Sequence, residues 1–176
     1  GGACPDQGDG VRALVTDADG PRLADGRELP ELGATEALVR IEMAGLSSLD
    51  VACATGRLGH AGVIGHELVG VVEKLGERVS KSPLIGKRVV ASPDIACGKC
   101  DLCRKGLSVH CRDRRVIGLR GYDGSLTERI VVPVRNLFEV PSGIKPEKAV
   151  LASAVGTKRA MKMLLMGEDI PPSDLK

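Results

Sequence analysis

The chain has 176 residues, enough for one domain with a sizeable core, and its 43% apolar and 27% charged residues are ordinary for a globular protein. A net charge of +2 gives no electrostatic argument for nucleic acid or an acidic membrane surface as partner, and no apolar run reaches the roughly 18 to 20 residues that a membrane span needs. Tyr122 and Phe138 are the only two residues of their types and Trp is absent, so Val, Leu, Ile, Ala and Met must build the core. With 23 Gly and 10 Pro, short strands and turns are expected rather than a helical bundle.

Gly1 to Gly10 is rich in Gly and Asp and lacks the apolar stretch of a signal peptide, so it reads as a disordered lead-in. The expected location is cytoplasmic. In a reducing compartment, clustered cysteines are more often metal ligands than disulfides. Val11 to Thr16 is a short strand, and Asp17 to Pro30 is expected to be turn-rich. Glu36 to Ala44 alternates apolar and polar residues, placing Ala37, Val39, Ile41 and Met43 on one face of a half-buried strand. Ser47 to Thr55 suits one or two helical turns, with Ser47 or Ser48 as N-cap and Asp50 in the first turn.

Further strands are expected at Val69 to Leu75, Lys87 to Ser92, Leu126 to Val132 and Leu137 to Val140, spaced as in a barrel. Pro93 to Arg115 reads as a lobe with little regular structure. Pro146 and Glu147 suit the start of a helix. Good helix formers then run from Ala149 to Met166, with Gly156 as a weak point and Gly167 as the C-cap. Pro171 and Pro172 end that pattern. The division expected is a lead-in at 1–10, a barrel domain at 11–152 carrying the lobe 93–115, and a helix and linker at 153–176.

The lobe contains Cys97, Cys100 and Cys103, and then Cys111 after seven further residues. Two overlapping Cys-x-x-Cys turns supply three sulfurs from seven residues, and a short excursion returns the fourth. Four thiolates at about 2.3 Å would close a tetrahedral zinc shell and leave no position for substrate, so one structural zinc is predicted. Lys99, Arg104, Lys105, Arg112, Arg114 and Arg115 surround it, against Asp101 and Asp113. That basic rim would favour thiolates, although a solvated basic loop is the plainer reading of those charges alone. Disulfides are disfavoured by the overlapping i, i+3 spacing and the compartment. An iron–sulfur run usually closes three residues later with Cys-Pro, whereas here Arg112 follows Cys111. No function is expected of Cys4, and Cys53 reads as a small buried hydrophobe.

Gly65-His66-Glu67-Leu68-Val69-Gly70 lies just before a strand and about 30 residues ahead of the cysteines. A His-Glu pair alone is more often structural. Taken with the cysteine lobe and the stretch Gly121 to Pro141, it makes the chain resemble the zinc-dependent medium-chain dehydrogenases, the alcohol and polyol dehydrogenase family. The resemblance runs from about Val11 to Leu175. It implies a mainly β fold, a GroES-like β-barrel carrying a structural zinc lobe and a C-terminal helix. It also implies a second, catalytic zinc, a Lewis acid that activates an alcohol or carbonyl, and hydride exchange with NAD(P) held by a separate Rossmann domain.

The chain departs from that pattern at the catalytic zinc. Ser47 stands where the family has a ligand Cys, Leu49 replaces a proton-relay Ser or Thr, and Ser153-Ala154-Val155-Gly156 offers no third ligand. His66 remains, with Glu67 as an occasional substitute and Asp50 as the residue that orients the histidine. Neutral serine is a poor zinc ligand, so His66, Glu67, Asp50 and Ser47 are expected to form a degenerate site, empty or partly filled.

No Gly-x-Gly-x-x-Gly follows a strand, and Gly167 to Leu175 resembles the loop before the family's first Rossmann strand. The Rossmann domain is therefore expected to be absent from this chain and the chain alone inactive. The apolar residues Met161 to Met166 would then offer a surface for a homo-oligomer. The competing reading is a stand-alone zinc-stabilised module that binds a partner protein. A metal redox protein would need iron at the four cysteines and fits least well.

Overall fold

The computed structural model describes residues 10–154, with side chains to residue 150. Residues 1–9 of the expected lead-in and residues 155–176, including most of the helix expected over Ala149 to Met166 and its apolar methionines, lie outside them, while Gly10 already begins the first strand. The elements run β1 (Gly10–Asp17), β2 (Gly20–Glu28), β3 (Glu36–Gly45), α1 (Ser48–Ala54), β4 (Gly62–Val63), β5 (Glu67–Leu75) and β6 (Arg88–Ala91). There follow β7 (Asp94–Ile95), α2 (Asp101–Arg104), β8 (Arg115–Val116), β9 (Arg129–Pro133), β10 (Leu137–Glu139) and α3 (Pro146–Ala154). The mainly β class holds.

The strands form three antiparallel sheets, ordered β2-β1-β4, β10-β6-β5-β3-β9 and β7-β8. Their ladders do not close into one ring. Residues 126–128 join the two larger sheets instead: Leu14 and Glu128 donate backbone N–H to Leu126 and Arg12 carbonyls, and Ile41 donates to the Glu128 carbonyl. This double duty explains why β9 begins at Arg129, three residues later than the sequence suggests.

The segment expected to be turn-rich, Asp17 to Pro30, instead holds the nine-residue strand β2, paired with β1 across a turn at Asp17 to Gly20. β2 is an exposed edge strand with no buried residue, so it carries no apolar alternation; its Pro, Asp and Gly read as turn signals.

The main core consists of Ala37, Val39, Leu68, Val72, Val89, Ile95, Ile117, Ile130 and Val132 with their neighbours. Each fully buried Val, Leu or Ile there contributes roughly 1.5–3 kcal/mol. Ile41 packs against this cluster, as its alternation requires, but Met43 packs against a second one formed by Val69, Val90, Val140, Ala149 and Val150. A register shift between Ile41 and Met43 sends the rest of the strand toward α3.

On the solvent face of the large sheet, charge replaces packing. Arg88 pairs with Glu42, Arg40 with Glu42 and Glu73, and Arg129 with Glu73. Arg40 and Arg129 sit directly opposite in the β3–β9 ladder, a repulsive placement that Glu73 neutralises from β5.

Candidate metal centre and histidine site

The lobe between Ile95 and Ile117 has almost no core: Cys111 is its one buried residue. Its stem is the two-residue ladder β7–β8, and its tip holds the single-turn α2 and a 3-10 turn at Ser108–His110. All four cysteine Sγ atoms lie within 4.8 Å of one another. Cys97 Sγ is 4.0 Å from Cys103 Sγ, and Cys100 Sγ is 3.9 Å from Cys111 Sγ. Thiolates about 2.3 Å from a zinc ion sit about 3.8 Å apart at tetrahedral angles, whereas a disulfide needs about 2.05 Å. The arrangement fits a tetrahedral thiophilic cation and contains no disulfide among the described residues.

Backbone donors reinforce the sulfurs as acceptors. The Cys97 N–H points at Cys111 Sγ (3.2 Å) and the Cys100 N–H at Cys97 Sγ (3.4 Å). The Cys103 N–H, followed by hydrogen bonds from Arg112 N–H and neighbouring thiols, lowers Cys100 to about 6. Burial first, and then hydrogen bonding to Cys100, pushes Cys103 up to about 12. The protein alone thus favours the Cys100 thiolate and disfavours that of Cys103; a divalent cation between them would favour both thiolates together.

The basic rim is partly tied down. Arg112 pairs with Asp101, Arg114 with Asp94, and Arg135 donates to the Ala96 carbonyl. Lys99, Arg115 and Arg135 face a cleft of about 510 Å³ beside Cys97.

The second constellation forms where β3, α1 and β5 meet. Ser47 is the N-cap of α1: its hydroxyl accepts from Leu49 N–H (3.1 Å), while Asp50 accepts from the Ser47 N–H (2.7 Å) and hydroxyl (2.9 Å). This is a reciprocal capping box. Leu46 and Val51, at the positions flanking this cap, are both exposed.

Asp50 is 1% exposed. Burial pushes its carboxyl up, but the hydrogen bonds from Ser47 N–H, His66 and the Ser47 hydroxyl prevail and hold it below its ordinary value. It therefore accepts from His66 Nδ1 at 3.0 Å, which leaves Nε2 as the free nitrogen.

Glu67 is also buried. Its Oε1 lies 3.7 Å from His66 Nε2, too far for a hydrogen bond. Burial raises its carboxyl above the ordinary range; His66 opposes that and Asp50 adds to it. A Cβ at Gly45 would collide with the Glu67 carboxylate.

Ser47, Asp50, His66 and Glu67 are thus brought together, but the Ser47 hydroxyl is spent on α1 and Asp50. Among the described residues, the four cysteines form the one group of three or more potential ligands converging on a point. Among the described residues, the donor set around His66 does not supply three ligands converging on one metal. Ser153 lies outside the described side chains. Cys53 is buried at the end of α1 as expected, its thiol raised by burial first and then by Asp50.

One residue that the sequence did not single out holds the backbone around the histidine. Ser125, fully buried, donates its hydroxyl to the Glu67 carbonyl and its N–H to the Gly65 carbonyl, both at 2.9 Å. Tyr122 donates to the Val131 carbonyl at 3.0 Å beneath the Arg115 guanidinium. A lone serine after Asp-Gly gives no signal in a single sequence.

The domain thus combines an open antiparallel β fold, a four-cysteine lobe able to hold a metal ion and a carboxylate-held histidine at a strand entry. The chain belongs to the alcohol dehydrogenase GroES-like domain family, whose pattern matches residues 33–142. It is 34% identical over 129 residues to L-idonate 5-dehydrogenase of Vitis vinifera, covering 70% of this chain and 35% of that protein. It is 32% identical over 149 residues to L-threonine 3-dehydrogenase of Photobacterium profundum, covering 80% and 43%. Its fold matches that of a short chain alcohol dehydrogenase from E. coli CFT073 complexed with NADH, with TM-score 0.75 and 30% identity over 82% of this chain and 42% of that one. The chain therefore spans less than half the length of these relatives.

Proposed function

We propose that this chain is the zinc-stabilised catalytic-type domain of an oxidoreductase that exchanges hydride between an alcohol or carbonyl substrate and NAD(P). Cys97, Cys100, Cys103 and Cys111 hold one structural zinc per chain, which ties together the lobe 93–115 within the barrel domain at 11–152. The nicotinamide is bound by a Rossmann domain outside these 176 residues, so the chain alone turns over no substrate. The whole protein works in the reducing cytoplasm, where the thiolates persist.

The observation that carries this reading is the convergence of the four sulfurs. The test is native mass spectrometry with absorption spectroscopy on the purified chain. One colourless zinc per chain is expected, and a visible iron–sulfur band would overturn it. Turnover of any alcohol with NAD(P) by the chain alone would refute the claim of inactivity.

One observation favours a second reading. Ser47 serves as a helix cap, where a working zinc dehydrogenase needs a thiolate. On that reading the chain is a stand-alone zinc-stabilised module that acts by binding a partner protein. The genomic sequence downstream separates the two: an in-frame Rossmann segment supports the enzyme domain, a stop codon the module.

A further inference from the structure

The histidine site is held from two sides. Asp50 holds the imidazole. The backbone on both sides of His66 is held by the segment that follows Gly124. Leu126 N–H donates to the Ile64 carbonyl and Ser125 N–H to the Gly65 carbonyl, each at 2.9 Å. A third backbone rung does not follow. The Ser125 hydroxyl reaches past His66 to the Glu67 carbonyl, also at 2.9 Å. One residue thus fastens the carbonyls immediately before and after the histidine.

The surroundings leave this clamp little freedom. Gly65 has φ +98, and a Cβ there would sit 2.6 Å from Ser125 Oγ and 2.9 Å from Leu126 N. Cβ atoms at Gly118 and Gly124 would run into the Gly65 and Ile64 carbonyls. Two backbone segments therefore touch directly. Ser125 is completely buried, so water cannot replace its hydroxyl as a donor to Glu67.

We infer that Ser125 is a positioning residue for the site: its paired hydrogen bonds to Gly65 and Glu67 set the His66 backbone so that Nδ1 meets Asp50 and Nε2 is left on the side away from it. The inference rests on His66 being the working side chain of the proposed dehydrogenase site. Removing the hydroxyl leaves the Glu67 carbonyl without this donor and loosens the backbone that follows the histidine.

The experiment is nitrogen-15 NMR of the imidazoles in the full zinc-loaded chain. The chain has three histidines, His60, His66 and His110, so assignment by single substitution is direct. In the unaltered chain His66 is expected to show a downfield Nδ1–H proton hydrogen-bonded to Asp50. Ser125→Ala is expected to lose that signal while His60, His110 and the zinc content stay unchanged.

Should Ser125→Ala fail to fold, Ser125→Cys keeps the shape with a weaker donor and is expected to displace the same signal. An unmoved His66 signal in either folded variant overturns the inference. So does a general shift of all three histidines, which would mark simple loosening. Zinc stoichiometry and the downstream genomic sequence test the dehydrogenase reading separately, so failure of the positioning role is distinguishable from failure of that reading.

Discussion

Asp50→Asn tests the histidine site at its most constrained atom. Asp50 receives three hydrogen bonds, from Ser47 N–H, the Ser47 hydroxyl and His66 Nδ1, while 1% exposed. Asparagine keeps one carbonyl oxygen and turns an NH2 group toward a remaining donor. Hydrogen bonds to a charged group contribute about 1.5–3 kcal/mol each, and losing half of the capping box costs about 1 kcal/mol. A loss of about 2–4 kcal/mol is expected near neutral pH, a drop in Tm of about 10 °C for a domain of this size.

The pH dependence has a fixed sign. The folded protein holds Asp50 below its ordinary value of 3.8. Its stabilisation is therefore full above 3.8 and is lost as pH falls through the lower folded value. The assay is urea denaturation of both proteins across that acid range. Any metal held at the four cysteines would leave both proteins alike in acid, so their difference isolates Asp50. A neutral-pH loss under about 1 kcal/mol, or a difference that fails to shrink below pH 3.8, would refute the reasoning.

Chelation of zinc is expected to abolish amide hydrogen-exchange protection across residues 97–111, while β3 and β5 stay protected by the main core; uniform loss would show that the lobe and the sheets fold as one unit. Glu73→Gln leaves Arg40 and Arg129 facing each other and should cost about 1 kcal/mol at low salt. That cost should fade in concentrated salt, and an unchanged urea midpoint at both salt levels would contradict the role given to Glu73. Glu67→Gln is expected to stabilise the chain near neutral pH. The folded state raises Glu67, so its burial is tolerated below the ordinary 4.5 and becomes costly as pH rises through the raised value. A less stable variant there would mean that the ionised carboxylate has a partner.

Features carried by local chemistry were legible in the sequence. The cysteine spacing implied four converging sulfurs, Ser47 and Asp50 implied a capped helix, and alternation from Ala37 to Ile41 implied a half-buried strand. Features decided across the chain were not. β2 has no buried face, so its pairing with β1 leaves no mark on its composition. Met43 joins the second cluster because of a register shift that no local pattern encodes. Substitution at Ser47 was visible as a departure from the family, but its hydroxyl's engagement with Asp50 required coordinates. Ser125 acts on a carbonyl 58 residues away in sequence, and no spacing rule reaches that far.

The β7–β8 stem has a consequence for how the lobe can be altered. Asp94 faces Val116 and Ile95 faces Arg115 across an antiparallel pair, and such partners lie about 5 Å apart. A two-residue turn can bridge that gap. Everything beyond the stem is therefore an excursion from a hairpin that could close without it, since Ile95 and Ile117 already anchor both ends in the main core. Lobes of different length, or a plain turn, can be grafted at this junction without rethreading the sheets, which makes it the natural place for this scaffold to gain or shed a metal.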